Sequence, residues 1–244
     1  MENIQIIALI ALGWCIVFCF IQFFRLLKLG KVKDLSQKSG DVKAGVIYSN
    51  TTAMMPAEKE SAYKHLPTYT AGIIFHLGSF LALLLFVLML FNINGKIWSW
   101  LLCNGWWILA GAACFLLISS LCGLSLFFKR VFSKKLRPFS NYDDYFSNGV
   151  VTLFQLFSCA FFALFALVAI FNFRDELERI REIHILCSYF TAIIYCGYYI
   201  SAILLFLYLP FGKLKHAIYY FAARYHLGFF YGWRNSWPPK KSKN

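Results

Sequence analysis

Five histidines stand in the chain: His65, His76, His184, His216 and His226. Only His76 falls well inside a long apolar run. An imidazole in a bilayer is costly to keep and marks a functional position by default. It either hydrogen-bonds a neighbouring helix as a neutral ring, or it ligates a metal or haem iron. Gly72 lies four residues before it and Ser79 three after, so both share its helical face. Small neighbours on that face leave room for a flat, bulky group. His216 lies just past the last apolar run, in Pro210-Phe211-Gly212-Lys213-Leu214-Lys215-His216. Read alone it is a surface histidine, but a helical continuation of the last span would carry it into the headgroup zone. His76 is nine residues beyond Pro67, roughly 13 Å along a helix. Two imidazoles in the same half of a bilayer suit the axial positions of a b-type haem. Lys213 and Lys215 are then placed to pair with its propionates. His216 is the shallower of the two, so the pair needs helix tilt or a deeper boundary in the second span.

The other candidates read more plainly. His65 precedes Pro67 in a loop. His184 opens the last span beside Glu182, where it caps the interface or takes protons from a quinol. His226 follows Arg224 and Tyr225 and is a partner-contact residue, or the fallback ligand. Asp143 and Asp144 read as helix-capping carboxylates in contact with basic groups. Eight cysteines fall almost entirely in apolar runs, with no CxxC or CxxCH. That pattern argues against a cluster, a structural zinc site or covalent haem and favours small apolar packers.

These residues must be positioned by membrane helices. Of the 244 residues 60% are hydrophobic and the mean hydropathy is +0.61, far too apolar for a soluble fold. The expected class is all-α, a polytopic bundle with five spans at about 3–27, 67–92, 104–128, 148–173 and 183–209. The first run lacks a basic leader and a small-residue cleavage site, so it reads as a retained span. Residues 28–66 read as a long polar loop of the kind that carries function or awaits a partner. Trp98, Trp100, Trp106 and Trp107 form an interfacial belt. Gly111, Ala112, Ser119 and Gly123 suit close helix packing. A mixed-charge hinge, 174–182, joins the last two spans.

The net charge of +13 lies in segments between spans, which speaks for topology, anionic lipid and an acidic partner rather than nucleic acid. On alternate sides of the membrane the lysines and arginines divide twenty to four. The positive-inside rule then sets the N-terminus outside and the C-terminus in the cytoplasm. The expected domains are a membrane domain over 1–225, its last helix extending into the cytoplasm, and a basic aromatic tail over 226–244 that docks a partner or the interface and ends in a disordered tip.

At three places the chain resembles the membrane cytochrome b family of respiratory nitrate reductase gamma subunits, including the heterodisulfide reductase and sulfite-reductase-complex branch. Phe75-His76-Leu77-Gly78 is similar to the family's first-haem ligand motif. Pro210 to His216 is similar to its Pro-Phe-Ser-Arg-Leu-x-His motif. Arg137-Pro138-Phe139-Ser140-Asn141-Tyr142-Asp143-Asp144-Tyr145 resembles the segment before its fourth span. The family's five spans and outside N-terminus agree with the count above. The resemblance implies iron ligands at His76 and His216, with Gly72, Ser79, Lys213 and Arg137 around the cofactor. Two-haem members carry further histidines at positions that are Phe86 and Tyr198 here. The expectation is therefore one haem b on the cytoplasmic side, in the cell inner (cytoplasmic) membrane. The chain would relay electrons between the quinone pool, menaquinone included, and a cytoplasmic iron–sulfur oxidoreductase subunit. It carries no fingerprint of a substrate-reducing catalyst. A redox-inactive anchor or assembly subunit is the rival; a small transporter is disfavoured by spans without interior charge.

Overall fold

The computed structural model describes residues 2–28, 30, 34–55, 58, 64–91, 100–101, 104–172 and 181–239, with side chains at 2, 171–172 and 181–188 excepted. Trp98, Cys103, Lys240 to Asn244 and residues 174–180 of the expected hinge lie outside the described residues, as do the side chains of His184 and Cys187. The described residues form helices and no strand. In order these are α1 (Glu2–Lys28), α2 (Val42–Asn50), α3 (Leu66–Leu90), α4 (Trp106–Phe132), α5 (Tyr142–Asn172), α6 (Arg181–Tyr208) and α7 (His216–Trp233). Short 3-10 turns occupy Thr52–Met54, Arg137–Phe139 and Lys213–Lys215.

Five helices are long and apolar enough to cross a membrane: Asn3–Lys28, Leu66–Leu90, Trp106–Phe132, Tyr142–Ile170 and Tyr189–Tyr208. They fit a multi-pass membrane protein and match the five expected spans, with two shifts. α4 continues through Lys129 and Arg130 beyond its apolar run. α5 begins six residues earlier than expected, because its start is capped. Asn141 Oδ1 accepts from the Asp144 amide at 3.1 Å, and Asp144 Oδ2 accepts from the Asn141 amide at 3.0 Å. This reciprocal arrangement satisfies two otherwise orphan donors. Asp144 also pairs with Arg130 at 3.2 Å, and the Tyr208 hydroxyl donates to Asp143. Asp144 therefore does the capping and charge-pairing work expected of it, whereas Asp143 meets the Tyr208 hydroxyl instead of a basic group.

The chain divides into two compact units. Unit 1 holds Met1–Trp14 and Thr68–Tyr208. In it α4 packs along α5, and α5 along α6. α3 buries Phe75, Gly78, Ala82 and Phe86, a spacing that keeps one stripe inward. Small residues set the approach. A Cβ on Gly78 would fall 1.9 Å from Ser119 Oγ, and one on Gly123 would fall 2.6 Å from the Phe75 ring and from Thr152 Oγ1. Ser119 and Gly123 thus pack closely, as their spacing suggests, whereas a Cβ on Gly111 would point into open space. Trp100, Trp106 and Trp107 are exposed, as an interfacial belt requires.

Unit 2 holds Cys15–Pro67 and Leu209–Asn244. The sequence reading saw a loop and a tail here; a helix pair stands instead. α2 lies against α7, with Gly45, Ser49, Gly228 and Gly232 buried at the crossing. A Cβ on Gly45 would lie 2.5 Å from both the Gly228 carbonyl oxygen and Gly232 Cα, so backbone meets backbone. Ser49 Oγ donates to the Arg224 carbonyl at 2.7 Å, and the Arg224 guanidinium returns a bond to the Ser49 carbonyl. The Trp233 carbonyl accepts from the Ser39 and Gly40 amides at 3.0 and 3.1 Å, while Trp233 Nε1 donates to the Ser36 carbonyl at 2.9 Å. Tyr219 donates to Gln22 Oε1 in the second half of α1 at 2.6 Å.

The fifth span does not continue unbroken. α6 ends at Tyr208, the chain turns through a buried Pro210, and Gly212 is extended (φ −81°, ψ −166°) before the 3-10 turn. Proline supplies no amide for a continuing helix, so α7 is a separate helix. The division expected at 225/226 falls inside α7, which runs to Trp233.

Candidate functional site

His76 sits mid-way along α3 in unit 1 and is exposed. Its ring lies 6.0 Å from that of Phe75, which faces inward. Gly72, one turn earlier, has no atom within 4 Å of where a Cβ would stand. Ser79 serves another purpose. Its hydroxyl donates to the Phe75 carbonyl at 2.7 Å and accepts from Gln155 Nε2 at 2.8 Å.

Gln155, fully buried in α5, is the residue the sequence reading missed. Its amide also donates to the Phe75 carbonyl at 2.9 Å, and its Oε1 accepts from Ser119 at 3.0 Å. Both amide hydrogens and the amide oxygen are used, so the side chain is satisfied within the protein. It ties the turn of α3 that bears His76 to α4 and α5. The signal was available: a carboxamide in the middle of an apolar run is costly unless it bridges helices.

His216 opens α7 in unit 2 and is exposed. Its Nδ1 lies 2.6 Å from the Lys213 carbonyl. A carbonyl only accepts, so Nδ1 carries the proton and, in the neutral ring, Nε2 keeps its lone pair. A carbonyl behind one ring nitrogen is the usual way to orient a histidine that ligates through the other. Lys213 and Lys215 flank it and are exposed. The 3-10 turn is what places the Lys213 carbonyl under the ring, and it exists because Gly212 and Pro210 interrupt the helix.

His76, Gly72, Ser79 and Arg137 thus belong to unit 1, and His216 with Lys213 to unit 2. Arg137 is exposed in its 3-10 turn. His65 is exposed, and His226 is half-buried with its ring 5.7 Å from Tyr225. Among the described residues no three His, Cys, Asp or Glu side chains group as a metal cluster needs. A haem held by two imidazoles does not need such a group.

Phe86 and Tyr198 meet directly. Their ring centroids are 5.2 Å apart, edge to face, and both side chains are fully buried. Phe154, Phe161, Phe162, Tyr199 and Phe206 complete the cluster. Each such pair contributes about 0.5–1.5 kcal/mol beyond its burial. The contact leaves no layer between the two rings for a macrocycle.

Comparison with protein-family models, with curated proteins and with solved structures returned no match.

Proposed function

We propose that this chain is a membrane cytochrome b subunit of the nitrate reductase gamma type, exchanging electrons between the membrane quinone pool and a cytoplasmic iron–sulfur partner. The observation that carries the reading is the 2.6 Å contact from His216 Nδ1 to the Lys213 carbonyl, which orients the ring and sets its neutral tautomer. His76, beside the open flank at Gly72, is the second ligand. A single haem b held by these two imidazoles supplies reversible one-electron exchange when bound. The chain's own residues bind, orient and balance charge. Lys213, Lys215 and Arg137 neutralise propionates. The Gln155 bonds hold the α3 turn under His76. The aromatic contact of Phe86 with Tyr198 supports one cofactor rather than two.

The N-terminus is outside and the C-terminus cytoplasmic, in the cell inner membrane, on the strength of the twenty-to-four division of basic residues. Unit 2, which carries fifteen lysines and arginines against four acidic residues, faces the acidic partner. A redox-inactive anchor would use that same surface for docking alone.

The test is a reduced-minus-oxidised optical spectrum of the purified full-length protein. A b-type alpha band is expected, lost in His76→Ala and in His216→Ala and kept in His65→Ala and His226→Ala. Absence of the band sinks the haem reading and favours the anchor. Loss in His226→Ala with retention in His216→Ala would replace the ligand.

A further inference from the structure

Unit 2 carries a groove that none of the histidines lines. It lies along α2 and has an open volume of about 460 Å³. Its floor is apolar: Val42, Val46, Ile47 and Tyr225, of which Ile47 is 54% and Tyr225 47% exposed. Its rim carries Lys38 and Lys43, both exposed and neither in an ion pair among the described residues. The rim also carries one carboxylate, Asp41, whose Oδ1 accepts the Lys43 amide at 2.8 Å as the cap of α2, so the two lysines leave the rim with a net positive charge. Nor does unit 2 neutralise these cations elsewhere. It holds +11 of the chain's +13, and its other described carboxylates are engaged, Asp34 with Ser36 and Arg234 and Glu58 with Tyr48.

Two ammonium groups above an exposed apolar floor match one kind of ligand, a headgroup phosphate with an acyl chain attached. Connectivity brings the groove to such ligands. The apolar run of α1 ends at Lys28, fourteen residues before α2, and α7 begins eight residues after the last span ends. Both helices are therefore tethered at a bilayer boundary. We infer that the groove along α2 is a binding site for an anionic phospholipid, with Lys38 and Lys43 on the phosphate and Val46, Ile47 and Tyr225 under the chain. Free phosphate would use the lysines and leave the floor bare. An apolar floor of this exposure in a water-facing anion site would carry a cost without a purpose.

The test is native mass spectrometry of the full-length protein in detergent, with phosphatidylglycerol and phosphatidylcholine of identical chains at equal concentration. Phosphatidylglycerol is expected to be retained in preference. Lys38→Gln with Lys43→Gln should lower that preference by about thirtyfold, the worth of two interfacial cations. Lys134→Gln with Lys135→Gln should leave it unchanged. Ile47→Ser should weaken retention of both lipids, and millimolar inorganic phosphate should displace neither. Equal retention of the two lipids, an unaltered preference in the double variant, unaltered retention in Ile47→Ser, or displacement by phosphate would each overturn the assignment. No outcome depends on haem content.

Discussion

Replacing Gly45 by alanine adds a single methyl group at the α2–α7 crossing. The new Cβ would stand 2.5 Å from the Gly228 carbonyl oxygen, 2.5 Å from Gly232 Cα and 2.9 Å from the Gly232 amide nitrogen. None of these is the end of a flexible side chain, so the strain cannot be relieved by a rotamer change. The helices must separate by about 1 Å to reach ordinary contact distances of ~3.5–4 Å. That movement also stretches the Ser49 bond to the Arg224 carbonyl, 2.7 Å in the native arrangement. Overpacking of this kind costs about 1–3 kcal/mol, and a weakened hydrogen bond adds up to about 1 kcal/mol. Alanine's better helix propensity returns about 0.8–1 kcal/mol. A net loss of about 2 kcal/mol is expected, which raises the population of the opened pair by about thirtyfold. Amide hydrogen exchange by mass spectrometry on the full-length protein reads this directly. Peptides from α2 and α7 should exchange about thirtyfold faster, while those from α4 and α5 are unaffected. Gly111→Ala, with open space beside it, is the control and should leave exchange slightly slower or unchanged. Unchanged exchange of α2 and α7 in Gly45→Ala would refute the backbone-to-backbone crossing.

Other perturbations follow from the same geometry. Gln155→Leu removes three interhelical hydrogen bonds, each worth about 0.6 kcal/mol inside a membrane; a loss of about 1–2 kcal/mol should appear in thermal unfolding in detergent. Phe86→Ala opens a cavity in the aromatic cluster at a cost of about 3–5 kcal/mol, whereas Phe128→Ala, at a half-exposed ring, should cost almost nothing in the same assay. The Asp34 carboxyl is held below its usual range, first by the Ser36 amide and then by Arg234. Its contribution is thus complete above the ordinary aspartate value of about 3.9 and is lost as pH falls below that through the lowered one. Acid titration followed by Trp233 fluorescence should show the 34–40 segment releasing α7 only below about pH 4, and Asp34→Asn should remove that transition.

The membrane helices were legible because a bilayer demands a fixed length of apolar chain, and five runs of that length stand apart in the sequence. Their ends were less so, since capping by Asn141 with Asp144 extends α5 into residues that look like loop. Unit 2 was missed for a physical reason. The residues that make a close helix crossing, Gly45, Ser49, Gly228 and Gly232, are the ones a composition reading assigns to turns. Their spacing of four was the overlooked sign. The histidines were found by their rarity in apolar sequence. What oriented His216 was a backbone carbonyl, and no side-chain pattern encodes that. Ser79 lay on the expected side of the helix, yet its hydroxyl answers to a glutamine seventy-six residues away, a pairing that only the fold sets.

The bonds from Ser36, Ser39 and Gly40 to Trp233 join residues about two hundred positions apart. During synthesis at about 5–20 residues per second, the α2 segment waits roughly 10–40 s for α7 to be made. A nine-residue helix has little stability of its own over that interval. The 36–50 segment of unit 2 is thus completed only by a segment translated nearly two hundred residues later. A premature stop or a bulky fusion near Trp233 would register first as proteolytic nicking around residues 36–50, far away in sequence from the lesion.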